Sequence, residues 1–161
     1  MTTANFTLLH VVISLIGIGS GLIVMFGLLT AKRLDRWTLL FLFATALTSL
    51  TGFAFPNAHI TPGIVVGILS LVVLAGATVA RYALHLRGAG RWIYVLCASL
   101  ALYFNVFVLV VQSFEKVPAL NALAPTQKEP PFAIGQLTVL IVFIVLTAIA
   151  VRRFHTDRAI A

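Results

Sequence analysis

Cysteine is nearly absent from this chain. Its single example in 161 residues, Cys97, lies inside an apolar run, which rules out an intrachain disulfide and argues against a cysteine-rich metal site. Acidic residues are almost as scarce. Asp35, Glu115, Glu129 and Asp157 are the only four, too few and too divided between the two membrane sides to form a paired-carboxylate site. Charged residues make up 9% of the chain and hydrophobic ones 61%, too little polar surface for a water-soluble domain of this length. No Asp, Glu, Lys or Arg stands in the middle of an apolar run, which argues against a driven transporter, since such proteins keep ionisable groups there. Also missing are a nucleophile with a base and an orienting acid, a Gly-rich phosphate loop and an HExxH pair. The sequence therefore predicts a protein that is not an enzyme and carries no cofactor.

What the chain does have is five long apolar runs: residues 6–30, 37–55, 61–85, 92–112 and 132–151. Each approximates the roughly 20 residues that a helix needs to cross a bilayer. The expected fold is an all-α integral membrane bundle of five transmembrane helices, forming a single membrane domain over 1–161. The eleven basic residues are unevenly divided between the joints. Lys32, Arg33 and Arg36 lie in the first, Arg81, Arg87 and Arg91 around the third, and Arg152, Arg153 and Arg158 after the fifth run, leaving Lys116 and Lys128 on the other side. The positive-inside rule then places the N-terminus outside and the C-terminus in the cytoplasm. Trp37 and Trp92 open spans at the basic interface, a level that suits an indole. Residues 1–5 lack a positive n-region, so the first run reads as a retained span rather than a cleaved leader. The net charge of +7 is spread over joints instead of gathered on one folded face, which points to anionic lipid headgroups as partners and away from nucleic acid.

Helical spacing assigns a small or polar stripe to every span. On the first it is His10, Ser14, Gly17 and Gly21; on the second, Ala44, Thr48 and Thr51; on the third, Gly63, Gly67, Ser70, Ala77, Arg81 and His85. The fourth carries Tyr94, Ala98, Ala101, Asn105 and Gln112, and the fifth Gln136 and Thr147. Gly17 with Gly21, and Gly63 with Gly67, are small-xxx-small pairs expected at helix contacts. Arg81 reads as a snorkelling cation at a helix end. Most of the stronger polar groups fall in the half of the membrane opposite the basic joints, which predicts a polar cleft opening outward. His10, Asn105, Gln112 and Gln136 are its candidate ligand-binding residues for the head of an amphiphile such as a lipid or quinone. The proline-rich joint 113–131, with Phe114, Val117, Leu120 and Leu123 at steps of three, is its expected cover, or else a plain linker.

Three other readings stand beside this one, the last a passive channel, whose pore five spans could line only with further subunits. The polar stripes serve packing equally well, making the protein a structural subunit or a homo-oligomer without ligand. Haem ligation by His10 with His59, or His85 with His155, is the weaker alternative, because His59 lies in a short loop and His155 in a tail. The stretches LDRWTLLFL, TGFAFP, RWIYVLCASLALYFNVFVLVVQSF and KVPALNALAPTQKEPPF resemble those of a family of small, uncharacterised multi-span inner-membrane proteins of proteobacteria. That resemblance implies a bacterial inner membrane and supplies no catalytic residue.

Overall fold

Inside a bilayer no water can satisfy a free backbone amide, so an apolar run folds as a helix whatever its β-branched content. The computed structural model describes residues 3–55 and 62–155 and is helical throughout its regular segments, with no strand among the described residues. The helices are α1 (Thr3–Leu29), α2 (Asp35–Phe53), α3 (Pro62–Thr78, continued by a π-helical turn over Val79–Ala83), α4 (Ala89–Lys116), α5 (Pro118–Leu123) and α6 (Pro130–Arg153). All except the short α5 are long and apolar enough to span a membrane, which makes the chain a multi-pass membrane protein. His59, Asp157, Arg158 and the expected start of the third span at Thr61 lie outside the described residues.

Several helices outrun their apolar cores. The fourth run ends at Gln112, yet α4 covers 28 residues, about 42 Å at 1.5 Å per residue against a hydrocarbon core of about 30 Å. The additional turns extend into the headgroup zone, where charge is tolerated and hydropathy no longer marks the helix. Prolines fix the starts: Pro62, Pro118 and Pro130 each open a helix, where a missing N–H is not needed. The third span stops short of its expected end at His85. Its last turn widens to π geometry, and His85 and Leu86 then take positive φ of 49° and 57°. Such a backbone cannot continue a right-handed helix.

At the centre of the bundle, α4 packs against α1, α3 and α6, while α2 fills the space between α1 and α3. Only 11% of the most apolar α6 window is buried, against 44% for α1, so α6 is the helix most open to lipid. The stripe read from α4 is its buried face: Tyr94, Ala98, Ala101 and Asn105 are all enclosed, whereas Gln112 is exposed. On α1 the close contacts are made by Gly17 and Gly21. A Cβ on Gly21 would lie 2.6 Å from Leu102 and 2.8 Å from Phe41. Gly67 faces the Phe53 ring in the same way, and Gly63 is exposed. Gly76, which fits none of the expected stripes, seats the Cys97 sulfur, as a Cβ there would stand 2.9 Å from it.

Candidate functional site

Two polar regions occupy opposite ends of the bundle. Toward the proline-rich end, a seam runs between α1 and α2 and stops on α4. His10 Nδ1 shares a 2.8 Å hydrogen bond with Thr51 Oγ1, and the ring meets Phe55 edge-on at 5.2 Å. Ser14 donates to the His10 carbonyl, and Ser49 and Thr51 likewise bond back to their own helix. Two turns further in, Asn105 Nδ2 donates to Thr45 Oγ1 at 3.0 Å. The missing side chain of Gly17 makes that approach feasible, since a Cβ there would stand 3.3 Å from Thr45 Oγ1 and 3.5 Å from Asn105 Nδ2.

His10 and Asn105 thus share the α1–α2–α4 seam, and the other two expected ligand-binding residues are elsewhere. Gln136 Nε2 donates to the Phe107 carbonyl of α4. Phe107 lies about 200° around that helix from Asn105, on its other side. Gln112 is exposed and bonds to Glu115, its neighbour one turn along. The four residues are therefore each bonded within the protein and do not converge on one point. Thr48 Oγ1, Ser99 Oγ and Gln136 Oε1 are buried with no hydrogen-bond partner among the described residues.

The proline-rich joint makes side-chain hydrogen bonds to the end of α4. Helix α5 packs mainly on the end of α4, where Asn121 Nδ2 donates to the Phe114 carbonyl and Gln127 Nε2 to that of Val111. Ala124 and Phe114 are buried, and Phe114 meets Phe132 edge-on, while Val117 and Leu123 are exposed. The repeat of three breaks because Phe114 belongs to α4 and Pro118 starts a new helix. Glu129 closes the joint by accepting from the Thr126 hydroxyl at 2.8 Å and from the Thr126 and Lys128 amides. The Thr126 hydroxyl bond, followed by the amide bonds, holds the Glu129 carboxyl below its ordinary range.

At the basic end the sequence signal was weaker and the structure is denser. Past α1, Ala31 takes φ 56° and the Lys32 amide returns to the Gly27 carbonyl at 2.8 Å, turning the chain sharply into α2. Asp35 then opens α2, a favourable place for an acid beside free helix amides. Its carboxylate pairs with Arg81 from the π-helical turn and, at 3.5 Å, with Arg33. The Arg81 side chain is only 2% exposed, so it does not snorkel to lipid. Its guanidinium instead lies 5.1 Å from the Tyr94 ring centre and 5.9 Å from that of Tyr82. The Tyr94 hydroxyl bonds Thr38 Oγ1 at 3.2 Å, and its ring is 6.2 Å from that of Phe154. Arg91 donates to the Val151 carbonyl, tying down the end of α6. Elements from α1, α2, α3, α4 and α6 meet here around one buried cation.

Sequence reading missed this node because Asp35 and Arg81 are 46 residues apart and each looks like an ordinary interfacial charge. The available cue was imbalance, since Asp35 is the only acid placed among the first and third basic joints. No group of three or more potential metal ligands occurs among the described residues. No family model, curated protein or solved structure matches the chain.

Proposed function

We propose that this chain is a non-enzymatic, structural membrane bundle, a subunit or scaffold whose polar stripes hold its own helices together. The observation that carries this reading is the partnering of the four candidate head-group ligands. His10 bonds Thr51, Asn105 bonds Thr45, Gln136 bonds the α4 backbone and Gln112 bonds Glu115. The first three join different helices, and interhelical polar contacts of this kind contribute about 0.6 kcal/mol each on average in a membrane. Gly17 and Gly21 are spent on contacts within one chain, so a homo-oligomer would have to use other faces.

An amphiphile-binding function, for a lipid or quinone, is the competing reading. Its support is the pair of buried oxygens, Thr48 Oγ1 and Gln136 Oε1, left without hydrogen-bond partners among the described residues. Native mass spectrometry of wild type and of Asn105→Leu with Gln136→Leu separates the two. The structural reading expects no amphiphile whose retention depends on these residues, and a loss of about 1 kcal/mol or less per contact. A stoichiometric quinone or lipid present in the wild type and lost in the double variant would overturn it.

The membrane is proposed to be a bacterial inner membrane, on the strength of the resemblance above, with the basic end cytoplasmic and the N-terminus outside. In a Cys97→Ala background on intact cells, an impermeant maleimide should label Lys128→Cys and spare Arg153→Cys. The opposite pattern would reverse the orientation.

A further inference from the structure

The basic node carries more positive charge than it uses. Lys32, Arg33 and Arg81 line one crevice, and among the described residues Asp35 is the only acid paired there, shared between Arg81 and Arg33. Arg81 takes the better contact. Arg33 is left at 3.5 Å from the shared carboxylate, with its Nε buried and without a hydrogen-bond partner among the described residues. A buried donor on a charged group without an acceptor is costly, and a phosphate is one of the oxyanions that a guanidinium fork matches bidentately.

The surroundings say what bears the oxyanion. Val24 and Leu28 form an apolar floor, and Phe154 an apolar wall. Trp37 and Tyr82, both exposed, mark this level as the membrane interface, the depth of lipid phosphates. On the opposite face of α1 from that floor, Leu22 and Phe26 are exposed.

We propose that Lys32 and Arg33 form a binding site for the phosphate of an anionic phospholipid, seated at the rim of the crevice while Asp35 remains on Arg81 beneath it. The lipid phosphate supplies an acceptor to the part-exposed Arg33 guanidinium, whose side chain is 31% exposed. This goes beyond the structural reading, and its residues are separate from those that test that reading.

The protein in nanodiscs of phosphatidylcholine with one fifth phosphatidylglycerol provides the test, with retained lipid counted by native mass spectrometry. Wild type should retain phosphatidylglycerol in preference to phosphatidylcholine. Lys32→Gln with Arg33→Gln should lower that retention by roughly ten- to thirtyfold, as expected for losing a charge-assisted hydrogen bond to the phosphate. Arg87→Gln with Arg153→Gln, which removes the same charge at other junctions, should change it less than about twofold. An equal loss in both double variants would reduce the site to general electrostatics and overturn the proposal, as would no lipid preference in the wild type. Thermal stability in pure phosphatidylcholine discs should not respond to millimolar inorganic phosphate; a rise equal to that given by phosphatidylglycerol would overturn the lipid assignment in favour of a soluble anion.

Discussion

Gly21→Ala is expected to lower the stability of the bundle by about 1–3 kcal/mol, the usual cost of forcing a methyl group into a close-packed interior. The added Cβ would stand 2.6 Å from the Leu102 Cδ1 and 2.8 and 2.9 Å from two carbons of the Phe41 ring. Neither neighbour has much room to retreat, because Leu102 and Phe41 are each 1% exposed and belong to the same core cluster. The wedge would act on α2 and α4 together, where α1 touches both. Gly21→Leu should therefore prevent a stable fold. Gly19→Ala, two residues away on the exposed side, meets nothing within 4 Å and should stay within about 0.5 kcal/mol of wild type. Gly17→Ala should fall between them, its nearest contact being 3.3 Å from a hydroxyl. Reversible unfolding of the four variants in mixed micelles measures the order. If Gly21→Ala were as stable as Gly19→Ala, helix approach at Gly21 would not be limiting.

That ranking also marks what could be read before the structure. The five spans were legible because burying backbone in lipid imposes one solution, and each apolar run had the length to adopt it. The buried face of α4 was legible for a similar reason: Tyr94, Ala98, Ala101 and Asn105 recur at helical spacing and only one side of a central helix carries such residues. Partners were not legible. Spacing places His10, Asn105 and Gln136 on polar faces, but a face has no address until neighbouring helices are rotated against it. Asn105 turned toward Thr45 and Gln136 toward the opposite side of α4, so an inferred cleft became two separate clasps. The densest packing also moved. Its largest fully buried side chains, Tyr94, Phe41, Phe154, Leu86 and Leu102, include two that lie beyond the ends of spanning helices, where hydropathy carries no signal. Leu86 is buried only because the π-helical turn and the two left-handed residues after it fold the chain back.

Asp35→Asn is the second change expected to act strongly, and it acts through a residue it only touches. Taking the Arg81 guanidinium out of water costs several kcal/mol, and Asp35 supplies the opposing charge. The two tyrosine rings offset part of this, about 0.5–2 kcal/mol each by cation–π attraction, but a ring quadrupole does not replace a carboxylate. Breaking a fully buried pair costs about 3–5 kcal/mol; because the Asp35 side chain is 66% exposed and water screens it, about 1–3 kcal/mol is the expected loss here. Arg81→Met removes the buried charge and leaves an aliphatic chain of similar length against Tyr94. Adding Asp35→Asn to that variant should then cost little, because the carboxylate no longer has a buried cation to compensate. The interaction energy in this double-mutant cycle should be at least about 1 kcal/mol, above the error of additivity for independent sites. Additive losses would mean that Asp35 acts on the bundle through the start of α2 alone. Coupling would identify the Asp35–Arg81 pair as the clasp between the first and third basic joints, which is the role its position between α2 and the π-helical turn assigns to it.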